Sequence, residues 1–280
     1  MHYTLDGLVV REMAWGENDK RIVLLTAERG RISVLAKGAR SMRSKYTNTT
    51  CLFTYGNFEI TERGGYAWLG GASIIESFWG IRDDIDRLAL ASYVVDVAGE
   101  LTGEEEPAGD ILRLTLNTLY AIAKTFKPKE QIKATYEIRA LAMSGYMPDL
   151  SGCGLCGKTA DDCLFLDVMN GMLECRECMN SLGAKARITE ADERTNRVLV
   201  PLSMSTVAAA RYILDAPVEK VLSVLLSGEV ITELERFGET YAVHHLEKRL
   251  SSLDFYRDVT RGTGSHQVFH PVIQTKPTDQ

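Results

Sequence analysis

Four of the six cysteines fall into two pairs, Cys153-x-x-Cys156 and Cys175-x-x-Cys178, with 18 residues between the pairs. That interval lies inside the roughly 15–20-residue spacing of four-thiolate zinc sites. It constrains the fold strongly, because a tetrahedral ion forces two separated segments to meet at fixed geometry. Between the pairs, LFLDVMNGML reads as two short apolar runs joined by Asn170–Gly171, the signature of a tight β-hairpin that brings the pairs together. Gly154 and Gly157 supply backbone freedom beside the first pair. Four thiolates leave no position open for water, so the expected Zn2+ is structural. A redox C-x-x-C would account for the pairs only one at a time. Cys163 is a spare thiol that could substitute for a ligand, and Cys51, in a strand pattern, is expected to be simply buried.

The same segment, SGCGLCGKT (151–159), also satisfies G-x-x-x-x-G-K-[ST] through Gly152, Gly157, Lys158 and Thr159. A phosphate loop needs an apolar strand before the glycines and a helix after them. Here GYMPDLS precedes and a hairpin pattern follows, and LFLD (164–167) arrives too soon after Thr159 for a helix to intervene. The nucleotide-hydrolase reading fails on both conditions.

The net charge of −6 is unevenly spread. Residues 1–63 hold ten Lys/Arg and seven Asp/Glu, a net +3 that leaves −9 for the rest. From Arg29 to Phe58 there are six basic residues and no acidic one. Such asymmetry suggests a polyanion-binding module on an acidic body, although a solvated basic face would look the same. No run approaches the roughly 18 apolar residues of a membrane span. The start, MHYTLDGLVVREMAW, lacks the pattern of a secretory signal, so a cytoplasmic location is expected.

The first 80 residues read as β-structure. IVLLT (22–26), a turn at ERG (28–30), and an alternating stretch at 31–37 put Ile32, Val34 and Ala36 on one face and Arg31, Ser33 and Lys37 on the other. CLFTYGNFEI (51–60) and GYAWLGGASII (65–75) add further strands. Several short strands in this span suit a small closed barrel, such as the five-stranded OB-fold. Helical periodicity begins after Asp83–Asp84, a capping pair, over 85–102. It continues through Leu112–Phe126 and after Pro128 to Ala142, then resumes at 203–215, 217–227 and 229–254. The tail from Thr260 has no periodicity and is expected to be disordered.

The barrel strand with Arg31 and Lys37, followed by the loop GARSMRSK (38–45) with Arg40, Arg43 and Lys45, forms a row of cations suited to phosphates. Tyr46, Phe53, Tyr55, Phe58, Tyr66 and Trp68 fall in the same region. One or two could stack bases, but most are expected to fill the interior. GLVV, AWGENDKRIVLLTAERGRISVLAKGARSMRSK, and above all the Gly30–Ser44 core G-R-x-x-x-x-A-K-G-A-R-x-x-R-S, resemble the N-terminal domain of the bacterial RecO family of DNA repair and recombination mediators. The resemblance continues through YEIRALAMSGYMPDLSGCGLCG (136–157), ARYIL (210–214) and YAVHHLEKRLSSLDF (241–255).

The resemblance implies an α+β multidomain chain: an N-terminal five-stranded OB-fold β-barrel and a helical C-terminal body with an inserted four-cysteine zinc finger. The expected boundaries are 1–80 for the OB-fold DNA-binding domain, 81–150 and 186–258 for the two parts of the helical domain, 151–185 for the finger and 259–280 for a disordered tail. Members of the family are not enzymes. They bind single- and double-stranded DNA and anneal complementary strands, including strands coated by single-stranded DNA-binding protein. With RecR they help RecA replace that coat. By position, Arg31, Lys37, Arg40, Arg43 and Lys45 match the family's DNA-binding strand and loop. The pocket for the coating protein's acidic tail would lie near 133–139, where the match is loose and only Lys133 and Arg139 suggest themselves. The motifs leave open a zinc-containing nucleic-acid-binding regulator or adaptor unrelated to recombination. Nothing favours an enzyme: His244–His245–Leu246–Glu247 lacks H-E-x-x-H spacing, and no G-x-S-x-G appears.

Overall fold

A computed structural model describes residues 1–161, 163–186 and 197–263. The described chain forms two compact units, Met1–Ile132 with Arg249–Thr263, and Lys133–Lys248.

The first unit opens with strands β1 (His2–Trp15), β2 (Asp19–Thr26), β3 (Gly30–Ala36), β4 (Tyr55–Arg63) and β5 (Tyr66–Glu76). They close a barrel in the order β1-β2-β3-β5-β4, with β4 returning to β1, which is the OB arrangement. The alternation read from the sequence is realised. Ile32, Val34 and Ala36 point into a core shared with Val9, Ile22, Leu24, Phe58 and Ile60, while Arg31 and Ser33 are half-exposed and Lys37 is exposed. Each buried Val, Leu, Ile or Phe side chain of this core contributes roughly 1.5–3 kcal/mol. At the β2–β3 turn Gly30 has φ 57°, and a Cβ there would lie 2.4 Å from the Gly103 carbonyl oxygen. Only glycine allows that approach, across which the Arg31 amide donates to Gly103 O.

Helices α1 (Ile85–Leu101), α2 (Gly109–Lys124) and α7 (Ser251–Thr263) complete this unit. The Asp84 carboxylate caps α1, accepting from the amides of Asp86 at 2.8 Å and Arg87 at 3.0 Å. Leu90, Val94 and Val97, with Ala89, Ala91 and Tyr93, bury α1 on most sides, as befits a helix packed by α2 and α7.

Helix α3 (Lys129–Met143) carries the chain into the second unit, where β6 (Asp149–Cys153), β7 (Leu164–Asp167), β8 (Met172–Cys175) and β9 (Leu199–Leu202) form a sheet in the order β6-β8-β7-β9. Helices α4 (Arg176–Ala186), α5 (Met204–Asp215) and α6 (Gly228–His245) accompany it. The β7–β8 hairpin forms, with a loop of Val168–Gly171 rather than two residues. The Asp167 carboxylate accepts from the amides of Met169 and Asn170 and so favours the longer turn, which closes through Gly171 at φ 63°.

Two helix expectations need correction. Residues 217–227 form turns, not a helix. Pro217 drives Ala216 into extended geometry (φ −64°, ψ 145°), which ends α5, and the Lys220 amide then turns back to Pro217 O. The stretch 229–254 is broken because Glu247 adopts φ 49°, which separates α6 from α7. Because α7 runs to Thr263, the tail expected at 259–280 begins inside a helix, and residues 264–280 lie outside the described residues. No helix among the described residues is long and apolar enough to cross a membrane.

Candidate nucleic-acid interface and metal centre

The loop after β3 is a succession of tight turns. Amides of Ser41, Ser44 and Thr50 donate to the carbonyls of Gly38, Ser41 and Tyr46. Ala39 is buried in the barrel core, and Thr49 and Thr50 are buried at the other end of the loop, so both ends are pinned. The Gly38 amide donates to Asp19 Oδ1 at 2.7 Å, tying the loop to β2. From this frame Lys37, Arg40, Arg43 and Lys45 all emerge exposed. Among the described residues none of the four is ion-paired with a carboxylate. Arg40 Nη1 donates to the carbonyls of Gly16 and Glu17 in the β1–β2 turn, at 3.2 and 3.0 Å. Those acceptors are uncharged, so the guanidinium is positioned while its charge stays available. Lys45 Nζ lies 4.8 Å from the centre of the Tyr46 ring, a cation–π contact, and Tyr46 Oη donates to Gly70 O.

Arg31 stands apart from this group. It opens β3, six residues before Lys37, so about 20 Å of strand separates the two at ~3.3 Å per residue. Arg31 lies on the outer face of β3 and Lys37 just past the strand's end, and between them Arg21 of β2 reaches Ser33, donating from Nε to Oγ at 2.5 Å. Four of the five proposed cations therefore share one loop, and Arg31 marks the far end of a face along β2 and β3. Reading the sequence missed Arg21 and Trp15. Trp15 is 44% exposed at the end of β1, beside the turn that holds Arg40. Alternation along β2 would have placed Arg21 outward; no sequence signal separates an exposed tryptophan from a core one. Of the aromatic candidates, Phe53 and Phe58 are buried, Tyr46, Tyr55 and Trp68 are half-buried, and Tyr66 is exposed.

In the second unit, β6 ends at Cys153, the following turn holds Cys156, β8 ends at Cys175, and the first turn of α4 holds Cys178. Their four sulfurs all lie within 4.8 Å of one another. Cys156 Sγ sits 3.7 Å from Cys175 Sγ, close to the ~3.8 Å edge of a tetrahedron with metal–sulfur bonds of ~2.3 Å. Backbone bonds build the first knuckle: the Cys153 amide donates to Lys158 O, the Gly157 amide to Cys153 O, and the Gly154 amide crosses to Leu173 O. Burial raises the Cys153 thiol, but N–H groups of Cys175, Leu155 and Cys156 outweigh it and bring it down to about 6. Cys178 is pushed upward by its neighbours Cys156 and Cys175. Four thiolates this close together accumulate negative charge, which a bound cation would offset. These residues fit a tetrahedral metal ion. Cys163 is outside the cluster and its thiol lies against Leu164 O.

Lys133 and Arg139, the residues suggested for an acidic tail, are both engaged internally. Lys133 is fully buried between Glu137 at 3.0 Å and Glu239 at 2.6 Å. Arg139 donates to the carbonyls of Ile213 and Ala216 at the end of α5. His245 packs between Tyr146 and Tyr241, with Nε2 3.1 Å from Val168 O, so it is a structural histidine of the hairpin.

An OB barrel followed by a helical body carrying a four-sulfur knuckle belongs to a class of architecture that nucleic-acid-binding proteins use. Residues 1–78 match the family described as Recombination protein O N terminal, and residues 82–254 match Recombination protein O C terminal. The chain belongs to this family, RecO. It is 31% identical over 255 residues to the DNA repair protein RecO of Acetivibrio thermocellus, covering 91% of this chain and 96% of the relative. It is 29% identical to the DNA repair protein RecO of Symbiobacterium thermophilum, covering 90% and 96%, and 29% identical to that of Myxococcus xanthus, covering 92% and 98%.

Proposed function

We propose that this protein is a non-enzymatic recombination mediator. It binds single- and double-stranded DNA through Lys37, Arg40, Arg43 and Lys45, with Arg31 extending the contact along β3. It anneals complementary strands and, with RecR, helps RecA load onto DNA coated by single-stranded DNA-binding protein. The observation that carries this reading is the exposure, on one anchored loop, of four cations that have no carboxylate partner among the described residues. Each can displace a counterion from a phosphate, and neutralising two strands at one surface lowers the repulsion that opposes pairing. The metal held by Cys153, Cys156, Cys175 and Cys178 is Zn2+, and it braces the second unit without touching substrate. The site of action is the nucleoid in the cytoplasm.

The test is annealing of complementary oligonucleotides, each pre-coated with single-stranded DNA-binding protein. Acceleration by the wild-type protein, and its loss in Lys37→Ala/Arg40→Ala, is the expected result. If the wild-type protein binds DNA but leaves annealing at the uncatalysed rate, the chain is a zinc-containing DNA-binding adaptor instead.

A further inference from the structure

Away from the cationic loop, the barrel wall between β3 and β5 is held by a short pairing. Strand β3 pairs with β5 through Val34–Ala67 and Leu35–Trp68, so opposite Arg31 and Ser33 the wall is not closed by that strand. A cleft of about 570 Å³ lies there, lined by Arg31, Ser33, Glu104, Arg63 and Tyr66, with the side-chain-free Gly64–Gly65 turn. That volume falls within the usual range for small-ligand pockets.

The lining has unspent hydrogen-bonding capacity. Among the described residues, Arg31 Nε is buried without a hydrogen-bond partner. The acids nearby do not meet it: Arg29 holds Glu105 through two bonds and Glu62 through a third, and Tyr3 also donates to Glu62. The cleft is therefore nearly balanced in charge, unlike the loop, and suits a group rich in hydrogen bonds more than a bare phosphate. Tyr66 adds a π-surface. It is 55% exposed, and its ring is held edge-on by Trp68 at 6.3 Å and 64°.

A ring-shaped ligand with donors and acceptors on its edge fits all three features. We propose that this cleft takes one unpaired nucleobase of the bound strand, stacked on Tyr66 with its edge toward Arg31 and Glu104. In a duplex that edge is already paired and the ring already stacked, and extruding it carries an energetic cost. The cleft therefore gives the barrel a means of telling one strand from two. This rests on reading the barrel as a strand-binding surface, and adds discrimination to it.

The experiment measures fluorescence anisotropy with the full-length protein and three labelled probes of equal length: a single strand, an abasic single strand and a blunt duplex. Tyr66→Ala should weaken single-strand binding about tenfold, the scale of one stacked base. Abasic and duplex binding should stay within about twofold of wild type, and Tyr66→Phe should behave as wild type. Unchanged single-strand affinity in Tyr66→Ala overturns the proposal, and so does an equal loss on all three probes. Lys37→Ala/Arg40→Ala separates the two levels. If it loses affinity while Tyr66→Ala does not, only the cleft is wrong. If both variants bind as wild type, the strand-binding reading fails with it.

Discussion

Replacing Lys133 with methionine separates a structural lysine from a docking one. Lys133 has no solvent exposure, and neither does Glu137, 3.0 Å away. Glu239, at 2.6 Å, is 25% exposed. Burial works against the ammonium, but Glu137 and Glu239 more than compensate and hold its pKa above the ordinary lysine value. A raised lysine pKa contributes stability fully present below the unfolded value and lost only as pH climbs through the folded one, so at neutral pH the contribution is complete. Lys133→Met would leave the Glu137 carboxylate in the interior without its cation, at a cost of roughly 3–5 kcal/mol. For a chain of this size at ~2–4 °C per kcal/mol, the thermal midpoint should fall by about 6–20 °C. Lys133→Met/Glu137→Met should recover much of that loss, because apolar replacement of a whole buried pair is often neutral. The assay is circular dichroism melting beside binding of a peptide copying the acidic tail of single-stranded DNA-binding protein. An unchanged midpoint with lost peptide binding would refute the structural role and return Lys133 to the docking site.

Cys175→Ser should reduce bound zinc, measured by elemental analysis, from about one per chain to near zero, whereas Cys163→Ser should retain it. Gly30→Ala should lower stability by about 2 kcal/mol or more in urea titration, since its Cβ would meet Gly103 O at 2.4 Å. Burial raises the pKa of Asp167, but Asn170 and Arg197 outweigh that and lower it overall. Its contribution should therefore be present above the ordinary carboxylate pKa of ~3.9 and fade as pH falls below it. Arg197→Gln should thus destabilise the protein more at pH ~7 than at pH ~3, read from urea midpoints.

Much of this architecture was legible because its signals are local. Alternation from Arg31 to Lys37 located a barrel strand and its wet face, Asp84 announced α1, and the cysteine spacing announced the knuckle. The parts that escaped depend on partners distant in sequence. The short strands β6 and β9 have too few residues for a period to show, and are strands because β8 and β7 accept them. Lys133 looks like any lysine on a helix until Glu239, more than a hundred residues on, is found beside it. Arg31 and Arg40 look equivalent in sequence, yet the length of β3 separates them and the β1–β2 turn captures only Arg40. The end of α5 before Pro217 was readable, but the apolar run VLSVLL (221–226) reads as a further helix where the chain only turns.

The most direct test of a strand held by the post-β3 loop is the salt dependence of single-strand binding. Anisotropy titrations over a range of salt should show the logarithm of affinity falling by ~0.7 for each phosphate contacted. Replacing Lys37, Arg40, Arg43 and Lys45 together by alanine should flatten that slope by about 2–3 and weaken binding to every sequence alike. A folded quadruple variant with the wild-type slope would show that DNA is held elsewhere.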